Sequence, residues 1–114
     1  PHGNGTSSSD NVEAKSISMY AGENALPVLA YKGQIGYTAT GSGLIDLVIG
    51  HHILLNRELI FPVINDQIRE DVAHHISLEG GVSKHTKKHL LKTGLGVDGS
   101  VVALLMTNLN KNAD

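Results

Sequence analysis

An α/β fold, with strands layered against buried helices, is what the sequence predicts, and three stretches predict it. Residues 38–55 set small side chains (Ala39, Gly41, Ser42, Gly43) ahead of Leu44, Ile45, Leu47, Val48, Ile49, Ile53, Leu54 and Leu55. A helix apolar on nearly every side is one buried within a larger body. Pro27-Val28-Leu29-Ala30 is a short continuous apolar run of the buried-strand type. Val101-Val102-Ala103-Leu104-Leu105-Met106 is a second such run, of the kind found in central strands.

The elements follow in order. Ser8 or Ser9 can cap a helix from about Asp10 to Tyr20, with Asp10 and Glu13 well placed in its first turn. Their spacing of three puts both carboxylates on one helix face. Val12, Ala14, Ile17 and Met19 supply its apolar contacts, and Gly22 suits a C-cap. The strand at 27–30 feeds a loop at 31–38 that carries Lys32 and Tyr37 among glycines. In the helix at 38–55, each early glycine costs roughly 1 kcal/mol against alanine, so close backbone packing is implied. That helix is too apolar for a free-standing protein of this size, and the missing partner surface implies a fragment or an obligate oligomer.

Leu59-Ile60-Phe61 before Pro62 reads as a short edge segment, residues 65–70 as a polar connection, and Val72 to Leu78 as a candidate strand. Glu79-Gly80-Gly81 is a turn. Lys87–Lys92 and Ser100–Met106 read as strands flanking the turn Thr93-Gly94-Leu95-Gly96-Val97-Asp98-Gly99. Residues 1–107 then form the folded part and 108–114 a polar C-terminal tail. No internal repeat is present.

At 114 residues and 40% apolar content, the chain is one domain or a piece of one, long enough for a core. Aromatic residues make up 4%, so that core is aliphatic. A net charge of -2 and a pI near 6.4 give no electrostatic case for nucleic acid or an anionic membrane. There is no cysteine, hence no disulfide framework and no thiol nucleophile within the chain. No apolar run approaches the ~20 residues of a membrane span, and the N-terminus is not a signal peptide, so a cytoplasmic location is the default. The chain opens at Pro1, inside a motif; processing, engineered splitting or proteolysis would each account for that.

The motif is Pro1-His2-Gly3-Asn4-Gly5-Thr6-Ser7-Ser8-Ser9-Asp10-Asn11-Val12-Glu13. Histidine exchanges protons near neutral pH, and the glycines beside it let the backbone turn tightly or approach a ligand. Composition alone would make this a mobile tail; a second and third motif further along turn the reading. His51-His52 and His74-His75 read as packing or surface residues. His85 and His89 have the i, i+4 spacing of a metal pair on a helix. Their lysine-rich surroundings and the lack of a third ligand leave no metal expected.

Three motifs in fixed order resemble the C-terminal half of a β-ketoacyl synthase, the thiolase-fold condensing enzyme of fatty-acid and polyketide assembly. His2-Gly3-Asn4-Gly5-Thr6 with Asp10 and Glu13 resembles that family's HGTGT…D…E signature. Lys32-Gly33-Gln34-Ile35-Gly36-Tyr37-Thr38 and the glycine-rich helix after it resemble the K…GHT…G segment. Thr93-Gly94-Leu95-Gly96-Val97 and the apolar strand resemble the GFGG turn and last strand. The resemblance runs to about Thr107 and implies half of a thiolase-like α/β fold, a mixed sheet layered with buried helices.

The resemblance also implies roles. His2 matches the first of two histidines that assist decarboxylation of a malonyl carrier and stabilise the oxyanion, while Lys32 and Glu13 match a structural ion pair that fixes the pocket. Asn4 and Thr6 fall where the family holds the phosphopantetheine arm, and Leu95 falls where it keeps a gating phenylalanine. No cofactor of the chain's own is implied, since acyl carrier protein supplies that arm. Implied partners are an N-terminal synthase half carrying the cysteine nucleophile, the acyl carrier protein, and a homodimer or a heterodimer with a ketosynthase. Neutral imidazoles and a thiolate suit this chemistry.

The departures are specific. Tyr37 stands where the second histidine belongs, Asn4 replaces a threonine, and Leu95-Gly96-Val97 loosens the gate. A tyrosine donates one hydrogen bond, but a pKa of about 10 makes it a poor proton shuttle. The chain alone is therefore not expected to condense anything. The alternative is a catalytically degenerate partner subunit resembling a chain-length factor. Two other classes compete: a nucleotide-binding module, for which neither GxxxxGK[ST] nor GxGxxG is present, and a pure interaction protein pairing through residues 38–55.

Overall fold

The computed structural model describes residues 1–22, 26–63, 67–76 and 81–110. In chain order the elements are α1 (Ser7–Ala21), α2 (Lys32–Ile35), α3 (Thr40–Asn56), β1 (Glu58–Ile60), α4 (Glu70–Ala73), β2 (Val82–Lys84), β3 (His89–Leu95) and β4 (Val101–Thr107). They fall into two compact units: Pro1–Tyr37 with Phe61–Gly81, and Thr38–Ile60 with Val82–Asp114. Helices and short antiparallel strands are mixed, which is compatible with an α/β fold. The described strands make two separate antiparallel pairs, β1–β2 and β3–β4, in place of one mixed sheet.

In the first unit, α1 starts three residues before the expected Asp10. Thr6 is the N-cap, in extended conformation, and its carbonyl accepts the Asp10 N–H at 3.0 Å. Ser7, Ser8 and Ser9 thus form the first turn and are not caps. Gly22 closes the helix as expected, at φ 60, donating its N–H to the Ser18 carbonyl. Ala14 is buried, but Val12 and Met19 are exposed. The 3.6-residue repeat explains this, because it puts those two on the face opposite Ala14 and Ile17.

Residues 27–30 bury Val28 but form no strand. Burying one side chain needs no ladder, and this unit offers no strand to pair with among its described residues. The expected loop at 31–38 contains one helical turn, α2, ended by Gly36 at φ 78. The candidate strand Val72–Leu78 is overturned at its start: Val72 is buried on α4, whose first turn is set by N–H groups of Val72 and Ala73 donating to the Arg69 carbonyl. The Asn11 amide donates to the Asp71 carbonyl at 3.2 Å and ties α4 to α1. Leu78, the residues Glu79 and Gly80 of the turn, and the start of the connection at Asn65 and Asp66 lie outside the described residues.

In the second unit, α3 buries Ser42, Gly50, Ile53 and Leu54. Leu44 is 68% exposed and Val48 and Leu55 are also open, so among the described residues one side of the helix is covered and the other is not. Gly50 marks the closest approach: a Cβ there would stand 3.1 Å from Leu90 Cδ2 and 3.3 Å from Met106 Sδ. Asp46 of α3 and Lys92 of β3 form a nearly buried ion pair at 3.1 Å.

The edge segment at 59–61 becomes β1, with Leu59 buried and Glu58 opposite Lys84. Its partner β2 had no sequence signal, since Val82-Ser83-Lys84 is short, with one apolar residue. β3 and β4 pair from His89 opposite Thr107 to Leu95 opposite Val101. The ladder therefore runs through Thr93 and Gly94, and the predicted seven-residue turn shrinks to residues 96–100. There Gly99 takes φ 85, and Asp98 Oδ1 accepts the Ser100 N–H and hydroxyl. The central-strand expectation for Val101–Met106 also fails here. Val101 is 72% exposed and Leu105 is open, because among the described residues β4 has one ladder partner in place of two. Asn108 is anchored, its amide donating to the Leu54 carbonyl at 2.8 Å, and residues 111–114 of the expected tail lie outside the described residues. No described helix is long and apolar enough to cross a membrane.

Candidate functional site

The first unit gathers the N-terminal motif around the backbone of His2 and Gly3. Both N–H groups donate to one carboxylate on α1: His2 to Glu13 Oε1 at 2.6 Å and Gly3 to Glu13 Oε2 at 2.9 Å. From the other side, the Lys32 ammonium on α2 donates to the His2 carbonyl. Lys32 is 9% exposed, so a cation and its methylene stem are held within the unit. Glu13 and Lys32 thus converge on one peptide segment and fix where the imidazole starts.

Gly3 serves this arrangement in two ways. Its φ of +50 lies in the left-handed region, and a Cβ would stand 3.2 Å from the Cβ of Ala30. A side chain here would meet both backbone strain and a neighbour. The 27–30 run is therefore the wall against which the motif turns.

The end of α2 positions the second aromatic group. Gly36 turns the chain out of the helix, and the Tyr37 ring meets the His2 ring edge to face, with centroids 5.8 Å apart and planes at 79°. An imidazole and a phenol can each present a hydrogen-bond donor.

Beyond His2-Gly3 the loop is self-braced. Asn4 Oδ1 accepts the Thr6 N–H at 3.0 Å and the Thr6 hydroxyl at 2.9 Å, and Asp10 accepts the Gly5 N–H. Arg69 holds the loop from outside. Its guanidinium donates to Asp71 by Nε and Nη2, reaches the Gly5 and Ser7 carbonyls at 3.4 Å, and lies 3.7 Å from Asp10. The hydrogen bonds from Arg69 hold the Asp71 carboxyl below the usual carboxylate range, and Asp71 in turn raises the Arg69 guanidinium. Sequence reasoning missed Arg69 and Asp71, because nothing in a short polar connection distinguishes an arginine that braces a distant loop.

An open cavity of about 380 Å³ lies in this unit. Asn4, Glu13, Lys32 and Tyr37 contribute to its wall, and Ile17, Val28, Val72 and Ile76 make the rest largely apolar. Of the residues singled out from the sequence, His2, Asn4, Thr6, Glu13, Lys32 and Tyr37 are brought into this one unit. Leu95 belongs to the second unit, where it ends β3 opposite Val101. His85 and His89 share no helix: His85 follows β2 and His89 opens β3. Among the described residues no group of three or more His, Asp or Glu side chains could hold a metal ion.

Residues 1–66 match the family model for the β-ketoacyl synthase, C-terminal domain, which is more than half of the chain. The match spans the whole N-terminal motif and Tyr37, and ends before the segment that carries Leu95. No curated protein and no solved structure matches the chain.

Proposed function

The chain belongs to the β-ketoacyl synthase family through its C-terminal domain, and from that premise we propose that it supplies the histidine side of a decarboxylative condensation between acyl and malonyl thioesters held on acyl carrier protein. The family is one of condensing acyltransferases with a thiolase-like α/β fold. Within it, His2 is the group we assign to the reacting malonyl thioester.

The chemistry follows from where charge develops. When the malonyl carboxylate leaves as carbon dioxide, the electron pair of the broken C–C bond moves onto the thioester carbonyl as an enolate. Fixed donors about 2.7–3.1 Å from that oxygen stabilise it more than they stabilise the ground state. The His2 imidazole and the Tyr37 hydroxyl are the two donors of this pair. The enolate carbon then attacks the acyl thioester, and a thiolate leaves. This chain holds no cysteine, so that thiol comes from an N-terminal synthase half. Asn4 and Thr6 hold the phosphopantetheine arm in this reading: the Asn4 carbonyl oxygen is engaged by Thr6, which leaves the Asn4 N–H groups and the Thr6 oxygen for the arm's amides. Leu95 takes the place of the gate, and a homodimer or a ketosynthase heterodimer is the assembly.

The observation that carries this proposal is the grip on His2, with Glu13 on its N–H side and Lys32 on its carbonyl. A mobile tail would spend no buried lysine on one carbonyl. The test is carbon dioxide release from a malonyl carrier by the protein together with its cysteine-bearing half. His2→Ala should abolish release while leaving acylation of the cysteine in place, and an unchanged rate would overturn the assignment.

A second reading rests on Tyr37. With one imidazole in place of two, the chain would be a degenerate subunit that pairs with an active ketosynthase and shapes its product, as a chain-length factor does. The wild-type protein and His2→Ala would then alike release no carbon dioxide.

A further inference from the structure

Outside the site, one titratable side chain in the second unit has no task in the chemistry. His85 is 7% exposed, and its Nε2 is buried with no hydrogen-bond partner among the described residues. A buried imidazole nitrogen without a partner is costly even when neutral, and protonating it would add a charge that the site cannot solvate.

The surroundings of His85 make that charge still less welcome. Its backbone N–H donates to the Arg57 carbonyl at 2.7 Å. Arg57 is the C-cap of α3 in left-handed conformation and leads directly into β1. His85 follows β2 directly, so this one hydrogen bond closes the β1–β2 ladder at the end where α3 enters it, beside the Glu58–Lys84 pair. The charged groups nearby are mostly cationic. Arg57 acts on the imidazole itself, Lys84 ends β2, and Lys87 and Lys88 follow within three residues. Glu58 of β1 lies opposite Lys84 in the ladder. On α3, Asp46 is engaged by Lys92, while His51 and His52 are exposed.

We propose that His85 is an acid-sensitive latch: neutral, it seals the junction of α3, β1 and β2, and protonation releases the short β1–β2 ladder while the longer β3–β4 hairpin stays closed. The asymmetry follows from size. The β1–β2 ladder has three residue pairs and the β3–β4 ladder seven, and β3 is further held to α3 by the Asp46–Lys92 pair. Burial and then Arg57 push the His85 pKa below its ordinary value. The folded form therefore binds its proton later than the unfolded form does. The contribution of neutral His85 is intact above about pH 6.5, begins to fall as the unfolded imidazole titrates, and declines until pH reaches the folded pKa.

Amide hydrogen exchange on the whole chain, expressed as protection factors at pH 7.5 and pH 5, tests this. Protection of the Leu59, Ser83 and His85 amides should fall between these pH values, by at most about thirtyfold given an ordinary imidazole pKa near 6.5, with β3–β4 protection unchanged. His85→Leu should remove the difference between the two pH values. A second readout does not depend on that variant folding: the imidazole resonances of wild-type His85 should titrate below 6.5. Equal loss of protection across both ladders, persistence of the loss in His85→Leu, or titration of His85 at or above 6.5 would each overturn the latch.

Discussion

The imidazole of His2 and the phenol of Tyr37 meet edge to face, 5.8 Å apart at 79°. They are 35 positions apart in the chain and are brought together by two different devices. His2 is held by its backbone, through Glu13 and Lys32, and Tyr37 is delivered by the glycine that ends α2. Each device fails separately, which makes the pair open to test.

Replacing the tyrosine probes its chemistry. Tyr37→Phe keeps the ring contact and removes the hydroxyl donor, so decarboxylation should fall by roughly 10²–10³, as for loss of one oxyanion donor. Tyr37→His should keep or raise the rate and shift its pH profile toward neutrality, because an imidazole titrates there and a phenol does not. A rate indifferent to both changes would remove Tyr37 from the site.

Glu13→Ala should loosen the motif itself. Two backbone N–H groups lose a charged acceptor, and hydrogen bonds to charged groups contribute about 1.5–3 kcal/mol. Denaturant unfolding should show a loss of roughly that size for the first unit. Crosslinking or exchange at His2-Gly3 should report an ordered segment turned mobile.

How much of this was legible depended on which physics each residue obeys. His2, Glu13, Lys32 and Tyr37 stood out in the sequence because a motif keeps its order along the chain, and the fold puts the last three in contact with His2. The helices 7–21 and 40–56 were readable from apolar content and from Gly22. Arg69 was not, since its partners Gly5, Ser7 and Asp10 lie some sixty positions away and no local pattern encodes that reach. Val72 was misread because one buried valine looks the same on a helical turn as on a strand. The strand 101–107 was readable as a strand, but its burial was not, because ladder partners are a property of the sheet and not of the run.

The ion pair between Asp46 and Lys92 supports a third prediction, since both side chains are nearly buried and lie 3.1 Å apart. Lys92→Met removes the cation from a mostly buried carboxylate and should cost up to about 3 kcal/mol. The double variant Asp46→Leu with Lys92→Met should recover most of that loss. Thermal or denaturant unfolding of the three proteins checks both statements.

Acid should act on the first unit through Asp71. Hydrogen bonds from Arg69 lower its pKa below the ordinary 3.8, so the folded carboxylate holds its charge to lower pH than the unfolded one. The contribution is complete above the ordinary value and disappears as pH falls through the lowered one. Carboxyl resonances of Asp71 should titrate below 3.8, and Arg69→Gln should move them back up.

The central claim is that this chain is the C-terminal part of a composite condensing site, and native mass spectrometry with thiol labelling tests it most directly. Protein isolated from its source should travel with a synthase-like partner, as a separate chain or a continuous one, that carries a reactive cysteine protected by acyl thioester. A lone 12.1 kDa species, stable in solution and indifferent to acyl carrier protein, would contradict it.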